Sequence, residues 1–209
     1  MWRFSTVEKI MEMEVQPDRF QGVLKLVRGG DRDAICQFVA QYEPFIRRTM
    51  RFRLVRASLH SAADSVDVCQ SIFGSLIVRL IAGEYELATE QDLNKLLYSI
   101  ANNKFLALQR RELARRRDRR LTVSLDSRAE IADARQMTPE RSMVLMELMG
   151  KFESSLEPEE QELYHLKKQG KSWNAIATQV SGDPIVLRKR LSRAVKRVAL
   201  ELGIEDREE

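Results

Sequence analysis

Cationic side chains are concentrated near the carboxyl end of the chain, in the stretch SGDPIVLRKRLSRAVKRV at residues 181–198. This stretch holds six Lys/Arg residues and one acid, Asp183. On a helix, its apolar residues fall in one sector that must face a core; they are Leu187, Leu191, Ala194 and Val198. The opposite face is almost purely cationic, and its like charges repel by about a few tenths of a kcal/mol per pair. Bound phosphates would remove that cost, so the pattern predicts a polyanion partner.

The residues before this stretch indicate how such a helix is presented. Gly170 can end one helix, and Ser172 can cap a short one that follows. After the turn SGD, Asp183 can cap the basic helix and Pro184 can open it, while Gly182 is expected to supply a positive φ in the turn. A short helix, a tight turn and a longer basic helix form a helix-turn-helix, whose second helix enters the major groove of DNA. A basic amphipathic helix that faces water or a membrane surface is the alternative.

We expect the DNA contacts to come from the exposed side of the basic helix. The candidate residues are Ile185, Val186, Arg188, Lys189, Arg190, Ser192, Arg193 and Lys196.

A second basic segment lies between Lys104 and Arg120, with eight Lys/Arg residues and two acids. Tyr98 and Phe105 stand near these cations, and two adjacent asparagines lie between the two rings. Aromatic faces, amides and guanidinium groups together can hold unstacked bases and a phosphate backbone. A core helix with a solvated cationic end is the alternative interpretation.

Helical periodicity nearly throughout the chain predicts an all-α fold with two helical domains. The N-terminal bundle is expected over residues 16–118, after an extension at residues 1–15. In that bundle Pro44 marks a kink or break in the second helix. The polar stretch at residues 119–137 predicts a flexible linker, and the C-terminal domain follows at residues 138–205, with Thr138 as its first cap.

Other features restrict the class of protein. Cys36 and Cys69 fall in apolar helical patterns, which favours reduced core residues in a cytosolic protein. The apolar run SLIVRLIAG is interrupted by Arg79, and the first residues lack the apolar core of a signal peptide. The two histidines, His60 and His165, are far apart in the sequence and have no partners at ligand spacing. We therefore expect a cytoplasmic protein that is not an enzyme and holds no metal or cofactor.

Four stretches, in order along the chain, resemble motifs of the bacterial sigma factors of extracytoplasmic-function type, a group of the sigma-70 family. GDRDAICQFVAQYEPFIRR at residues 30–48 resembles the first helix pair of these proteins, and DSVDVCQSIFGSLIVRL at residues 64–80 resembles the following helix. LLYSIANNKFLALQRR at residues 96–111 and the helix-turn-helix at residues 156–194 complete the likeness. The direct matches are Asp64, Asp67, Gln70, Phe73, Leu97, Ile100, Ala101, Asn103, Arg110, Arg111, Leu187, Arg188, Arg190, Leu191, Arg193 and Ala194.

The resemblance implies a transcription initiation factor that binds core RNA polymerase and directs it to promoters. The terminal helix would read the minus-thirty-five element, and the loop AGEYELATEQD at residues 82–92 could help to capture a flipped base. The clamp helices of polymerase would be contacted by Asp64, Asp67 and Gln70. The minus-ten element, with its opened strand, would be contacted by Tyr98, Asn102, Asn103, Phe105, Arg110, Arg111 and Arg115. A further expected partner is an anti-sigma factor or another regulatory protein.

The chain also departs from the motifs of that family. Ile185 and Val186 stand where a Gly-Thr pair is usual, which favours apolar contacts such as those with thymine methyls. Leu96 replaces a tryptophan, Ala107 an aspartate, and Val66 an acidic residue. A stand-alone helix-turn-helix regulator that binds operator DNA without polymerase is the main alternative function. A nucleic-acid enzyme and a scaffold or anti-sigma-type interaction protein are weaker ones.

Overall fold

The computed structural model describes residues 17–59, 64–119 and 139–205, and every regular element in these ranges is an α-helix. The all-α prediction is confirmed. The helices are α1 (Pro17–Arg28), α2 (Arg32–Arg56), α3 (Ser65–Ile81), α4 (Glu90–Arg119), α5 (Pro139–Ser154), α6 (Pro158–Lys168), α7 (Trp173–Gln179) and α8 (Pro184–Glu201). The predicted N-terminal extension, the predicted linker after Arg119, and the cap at Thr138 lie outside the described residues.

Local signals explain where the first helices begin and end. Gly30, with φ +74°, closes α1, and the side chain of Asp31 caps α2 by accepting from the Ala34 amide at 2.8 Å. Helix α2 continues through Pro44 without the break that the sequence suggested. Proline removes one backbone donor, but apolar side chains are buried on both sides of it and hold the helix in place. They are Ile35, Phe38, Val39, Ile46, Met50 and Leu54.

Helix α3 lies at the centre of the N-terminal bundle. It contacts α1, α2 and α4, and nearly every residue from Val68 to Ala82 is buried. Its apolar side chains Ile72, Leu76, Ile77 and Leu80 are completely removed from solvent. Burial of each contributes about 1.5–3 kcal/mol, so this helix supplies much of the stability of the bundle.

The C-terminal helices form a smaller cluster around two aromatic rings. The centroids of Phe152 and Tyr164 lie 5.5 Å apart, and both rings are buried. Helix α8 packs against α6 and α7, with Leu191, Val195 and Val198 turned inward. The short α7, the tight turn and the longer α8 form the helix-turn-helix that the sequence predicted.

The two halves of the described chain are in contact. Helix α3 of the N-terminal half touches α5, α6 and α8 of the C-terminal half, and the buried apolar residues of both halves form one continuous cluster. The outer face of α3 is therefore the surface that joins the two halves.

Candidate nucleic-acid interface

Helix α8 begins where the sequence indicated. The Asp183 carboxylate accepts from the amides of Ile185 and Val186, both at 2.9 Å, and Pro184 is the first helical residue. These contacts satisfy backbone donors that a helix start leaves open. The first turn of α8 is thus fixed, and its side chains are presented in a defined direction.

The turn before α8 differs from the prediction. Ser181, with φ 53°, adopts the left-handed conformation expected of Gly182. Glycine is favoured at position 182 for a different reason, because a Cβ there would lie 3.1 Å from Leu187 Cδ1. Close packing of the turn on the Leu187 side chain, rather than backbone conformation, favours glycine at this position.

Two apolar side chains are exposed at the start of α8. Ile185 is 65% exposed and Val186 is 58% exposed, although both are β-branched aliphatic residues that usually lie inside proteins. Arg188, Lys189 and Arg193 are also exposed, and none of the three forms an ion pair with another described residue. These five residues present a mixed apolar and cationic surface of the kind that contacts base edges and phosphates.

Other residues on α8 are engaged within the protein. Arg190, which the sequence placed among the DNA contacts, pairs with Glu159 of α6. Arg197 Nη2 pairs with Glu160 Oε2 at 2.6 Å, which holds α8 against the same helix. Arg190 and Arg197 thus differ from Arg188, Lys189 and Arg193 in that each has an acidic partner within the described residues. Ser192 is half-buried and Lys196 is exposed.

A second candidate surface is formed where α2 meets α4. Arg53 of α2 donates from Nη2 to Tyr98 Oη at 2.7 Å and from Nη1 to Asn102 Oδ1 at 3.0 Å. Its guanidinium carbon lies 5.1 Å from the centroid of the Tyr98 ring and 5.7 Å from that of Phe105. We call Arg53, Tyr98, Asn102 and Phe105 the aromatic cluster. Sequence reasoning found three of these residues and missed Arg53, because no sequence pattern relates α2 to α4.

Two exposed leucines lie farther along α4 than the aromatic cluster. Leu106 and Leu113, which are 43% and 51% exposed, lie about 80° and 60° around the helix from Tyr98. At about 100° per residue, however, Arg111 and Arg115 lie about 140° and 100° around the helix from Tyr98. The remaining candidates, Asn103 and Arg110, are exposed between these two sides, and Arg115 pairs with Glu112 at 3.6 Å. The predicted set thus spreads over more than one side of α4.

The residues predicted to contact polymerase lie at the start of α3. Asp64 is the helix cap, and its carboxylate accepts from the Val66 amide at 3.0 Å. Asp67 is exposed one turn later, and Gln70 is half-buried. Of the three, Asp67 is the side chain most available to a partner, whereas Asp64 has a structural role in its own helix.

The loop after α3 is packed against α1. Arg28 Nη2 donates to the Tyr85 carbonyl at 3.0 Å, and Gln21 Nε2 donates to the Leu87 carbonyl at 2.9 Å. Leu87 is buried and Tyr85 is half-buried, and burial raises the pKa of the Tyr85 hydroxyl. The loop is held at both of these positions.

No other class of site stands out in the described parts of the chain. No three of the His, Cys, Asp and Glu residues placed there lie close enough together to hold a metal ion; His60 is outside these ranges. Of the helices described, none is both long and apolar enough to span a membrane. The chain matches no protein-family model, no curated protein and no solved structure.

Proposed function

We propose that this protein is a transcription initiation factor of the sigma type, which binds core RNA polymerase in the cytoplasm and directs it to specific promoters. The observation that carries the proposal is the presence of two separate candidate DNA surfaces in one all-α chain. One is the capped helix-turn-helix, and the other is the aromatic cluster on α2 and α4. A factor that reads duplex DNA and also holds an opened strand needs both kinds of surface.

The start of α8 is suited to the minus-thirty-five element. Arg188, Lys189 and Arg193 would contact phosphates and base edges, and release of counterions from those phosphates supplies affinity. Ile185 and Val186, exposed beside them, would contact thymine methyl groups in the major groove. Apolar contact at these two positions would favour thymine-containing steps.

The aromatic cluster is suited to the opened strand of the minus-ten element. The half-exposed ring of Tyr98 offers a face on which an unpaired base can stack, at about 1–3 kcal/mol per base. Arg53 holds this ring and Asn102 in one arrangement and adds positive charge beside the bases. Cationic residues farther along α4, including Arg110, would contact the strand backbone.

The start of helix α3, where Asp64 and Asp67 are exposed, is suited to polymerase contact. Asp67 would pair with a cationic group on the clamp helices, and Gln70 lies one turn farther along the same side. Chemistry by the factor itself is not part of the proposal, since polymerase performs the reaction. An anti-sigma factor or another regulatory protein is a further proposed partner.

A stand-alone helix-turn-helix regulator is the second candidate, and the well-formed α7–α8 unit favours it. Such a regulator would bind a palindromic duplex without polymerase, with half-sites about one helical turn apart. Mobility-shift assays with promoter duplexes, with and without core polymerase, distinguish the two functions. We expect a specific complex only when core polymerase is present. A sequence-specific complex of the protein alone, unchanged by polymerase, would favour the regulator instead.

A further inference from the structure

The outer face of α3 approaches the C-terminal half at a glycine. A Cβ added to Gly74 would lie 3.1 Å from Leu148 Cδ2 and 3.6 Å from Ile204 Cγ2. Both neighbours belong to the C-terminal half, Leu148 to α5 and Ile204 to the segment after α8. Any larger side chain at Gly74 would therefore meet the other half of the protein rather than its own bundle.

Polar contacts surround this apolar contact. Ser71 Oγ donates to the Ile204 carbonyl at 2.7 Å, and Ser75 Oγ donates to Glu205 Oε1 at 2.7 Å. Arg79 donates hydrogen bonds to both carboxylate oxygens of Glu205, from Nε to Oε1 and from Nη2 to Oε2, each at 2.7 Å. Burial alone would raise the pKa of Glu205, but the hydrogen bonds from Arg79 and Ser75 outweigh it and lower that pKa. Hydrogen bonds to a carboxylate of this kind are stronger than neutral ones. We call this set the Glu205 contact.

A second edge of the interface is formed by two lysines at the end of α6. Lys168 lies against Gly30, which follows α1, so that a side chain there would overlap the lysine stem. Lys167 lies against Gly83, where an added Cβ would be 2.7 Å from Lys167 Cε. The turn between α1 and α2 and the loop after α3 are therefore also covered by the C-terminal half.

Charge at this second edge opposes the contact. Partial burial lowers the pKa of Lys167, and the nearby cations Arg28 and Arg188 lower it further. Arg28 belongs to the N-terminal half and Arg188 to the exposed surface of α8. Of these two cations only Arg28 lies across the interface from Lys167, so the interface joins the attractive Glu205 contact to one pair of like charges.

The residues of α3 that the C-terminal half covers lie on the same face of the helix as the proposed polymerase contact. Ser71 and Gly74 follow Asp67 by four and seven residues, so all three share one face of α3. Asp67 itself is exposed, Gln70 is half-buried, and Gly74 is fully covered. A partner that packs along this face from Asp67 would collide with the C-terminal half within two helical turns.

We propose that the C-terminal half acts as a built-in competitor for the outer face of α3, so that the described arrangement is a closed form of the protein that must open before polymerase packs along that helix. This inference rests on the proposed function. Only open molecules would bind polymerase in this way, so the apparent affinity is the affinity of the open form multiplied by the fraction of molecules that are open.

Two variants open the interface from opposite sides. Gly74→Leu inserts a side chain between the halves while it improves the helix propensity of α3. Glu205→Ala removes the hydrogen bonds that the Glu205 carboxylate accepts from Ser75 and Arg79, and it changes no residue of the N-terminal bundle. Gly22→Leu is the matched control, because Gly22 is a helix glycine with nothing within 4 Å of an added Cβ. Each full-length variant is examined by small-angle X-ray scattering and by titration with core polymerase.

A closed chain of this length has a radius of gyration of about 17 Å, and we expect both opening variants to exceed the wild type by several ångströms. If the closed form predominates by about nine to one, both variants bind polymerase up to about tenfold more tightly. Gly22→Leu should match the wild type in both measurements. Because Leu at position 74 could itself meet polymerase, Glu205→Ala decides the affinity result.

Two results overturn the inference, and a third concerns the proposed function. An unchanged radius of gyration in both variants would show that the contact does not hold the halves together. A larger radius with unchanged polymerase affinity in Glu205→Ala would show that the C-terminal half does not compete for α3. Absence of polymerase binding by the wild type and by both opening variants would contradict the sigma-type function as well as the competition.

Discussion

Arg53 and Tyr98 are joined in two ways: the guanidinium donates a hydrogen bond to the phenol oxygen at 2.7 Å, and it also lies 5.1 Å from the centre of the same ring. The two residues are on different helices and 45 positions apart in the chain. Their contact gives a half-exposed aromatic ring a fixed orientation and places a positive charge beside it. A base that stacks on Tyr98 would meet a preorganised surface, which lowers the entropy cost of binding.

Replacement of Arg53 by alanine should weaken strand opening more than it weakens binding to polymerase. The change removes the hydrogen bonds to Tyr98 and Asn102 and the cation beside the rings, so opening at the minus-ten element should fall about tenfold, the equivalent of about 1.4 kcal/mol. Fluorescence of a base analogue placed in that element measures opening. Arg51→Ala, which removes an equal charge from the same helix, is the control. Equal defects in both variants would mean that charge alone matters.

Replacement of Arg193 by alanine should reduce promoter-dependent transcription and leave capture of core polymerase unchanged. If Arg193 contacts a phosphate, the slope of log affinity against log salt should become shallower by about one unit. Titration of the polymerase complex with promoter DNA at several salt concentrations measures the slope. Arg197→Ala is the matched control on α8, because Arg197 pairs with Glu160. It should lower the melting temperature instead of the slope. An equal loss of polymerase capture in Arg193→Ala would contradict its assignment to DNA.

Replacement of Val186 by threonine should change sequence preference without a change in stability. Val186 is 58% exposed, so its methyl groups contribute little to the core. Replacement of one of the two Val186 methyl groups by a hydroxyl should weaken an apolar contact with a thymine methyl by about 0.8 kcal/mol, and so reduce the preference for thymine at one minus-thirty-five position about fourfold. Transcription from a promoter library randomised in that element measures the preference. An identical preference in the variant would place Val186 outside the base contacts.

Replacement of Asp67 by arginine should reduce co-purification with core polymerase. Asp67 is an exposed acid on the first turns of α3, and charge reversal there would repel the cationic partner that the proposal requires. The control is Glu162→Arg, an exposed acid reversed on α6. Polymerase retained on the immobilised variants is the measurement. Undiminished retention by Asp67→Arg would remove the start of α3 from the docking surface.

Substitutions at two neighbouring positions of the turn before α8 should change the stability of the protein in opposite directions. Ser181 has φ 53°, so Ser181→Gly relieves a conformation that costs a non-glycine residue about 1 kcal/mol. Gly182→Ala would bring a Cβ within 3.1 Å of Leu187 and should destabilise the protein. Thermal unfolding of both variants should show a rise in melting temperature for the first and a fall for the second. The reverse order would mean that Gly182 supplies the left-handed residue of the turn.

The sequence predicted those features that depend on local chemistry. The caps at Ser172 and Asp183 are formed by short-range hydrogen bonds, and their positions followed from residue type and spacing. The buried faces of the helices followed from periodicity. These signals operate within a few residues, so the starts of these helices and their buried faces could be predicted from the sequence.

Features that depend on distant residues could not be read in this way. Nothing in the sequence indicated that Arg190 would pair with Glu159 on another helix. Arg53 had no sequence feature that linked it to Tyr98, and Gly74 gave no indication that Leu148 would cover it. In each case the partner is supplied by the packing of helices, and a single sequence contains no record of which helices meet.

Run-off transcription with purified core polymerase tests the central claim most directly. Core enzyme is combined with this protein and a set of promoter templates, and transcript start sites are mapped. We predict discrete transcripts that depend on the protein and that arise downstream of a shared pair of elements. Transcription that is no different with and without the protein, on every template, would contradict its role as an initiation factor.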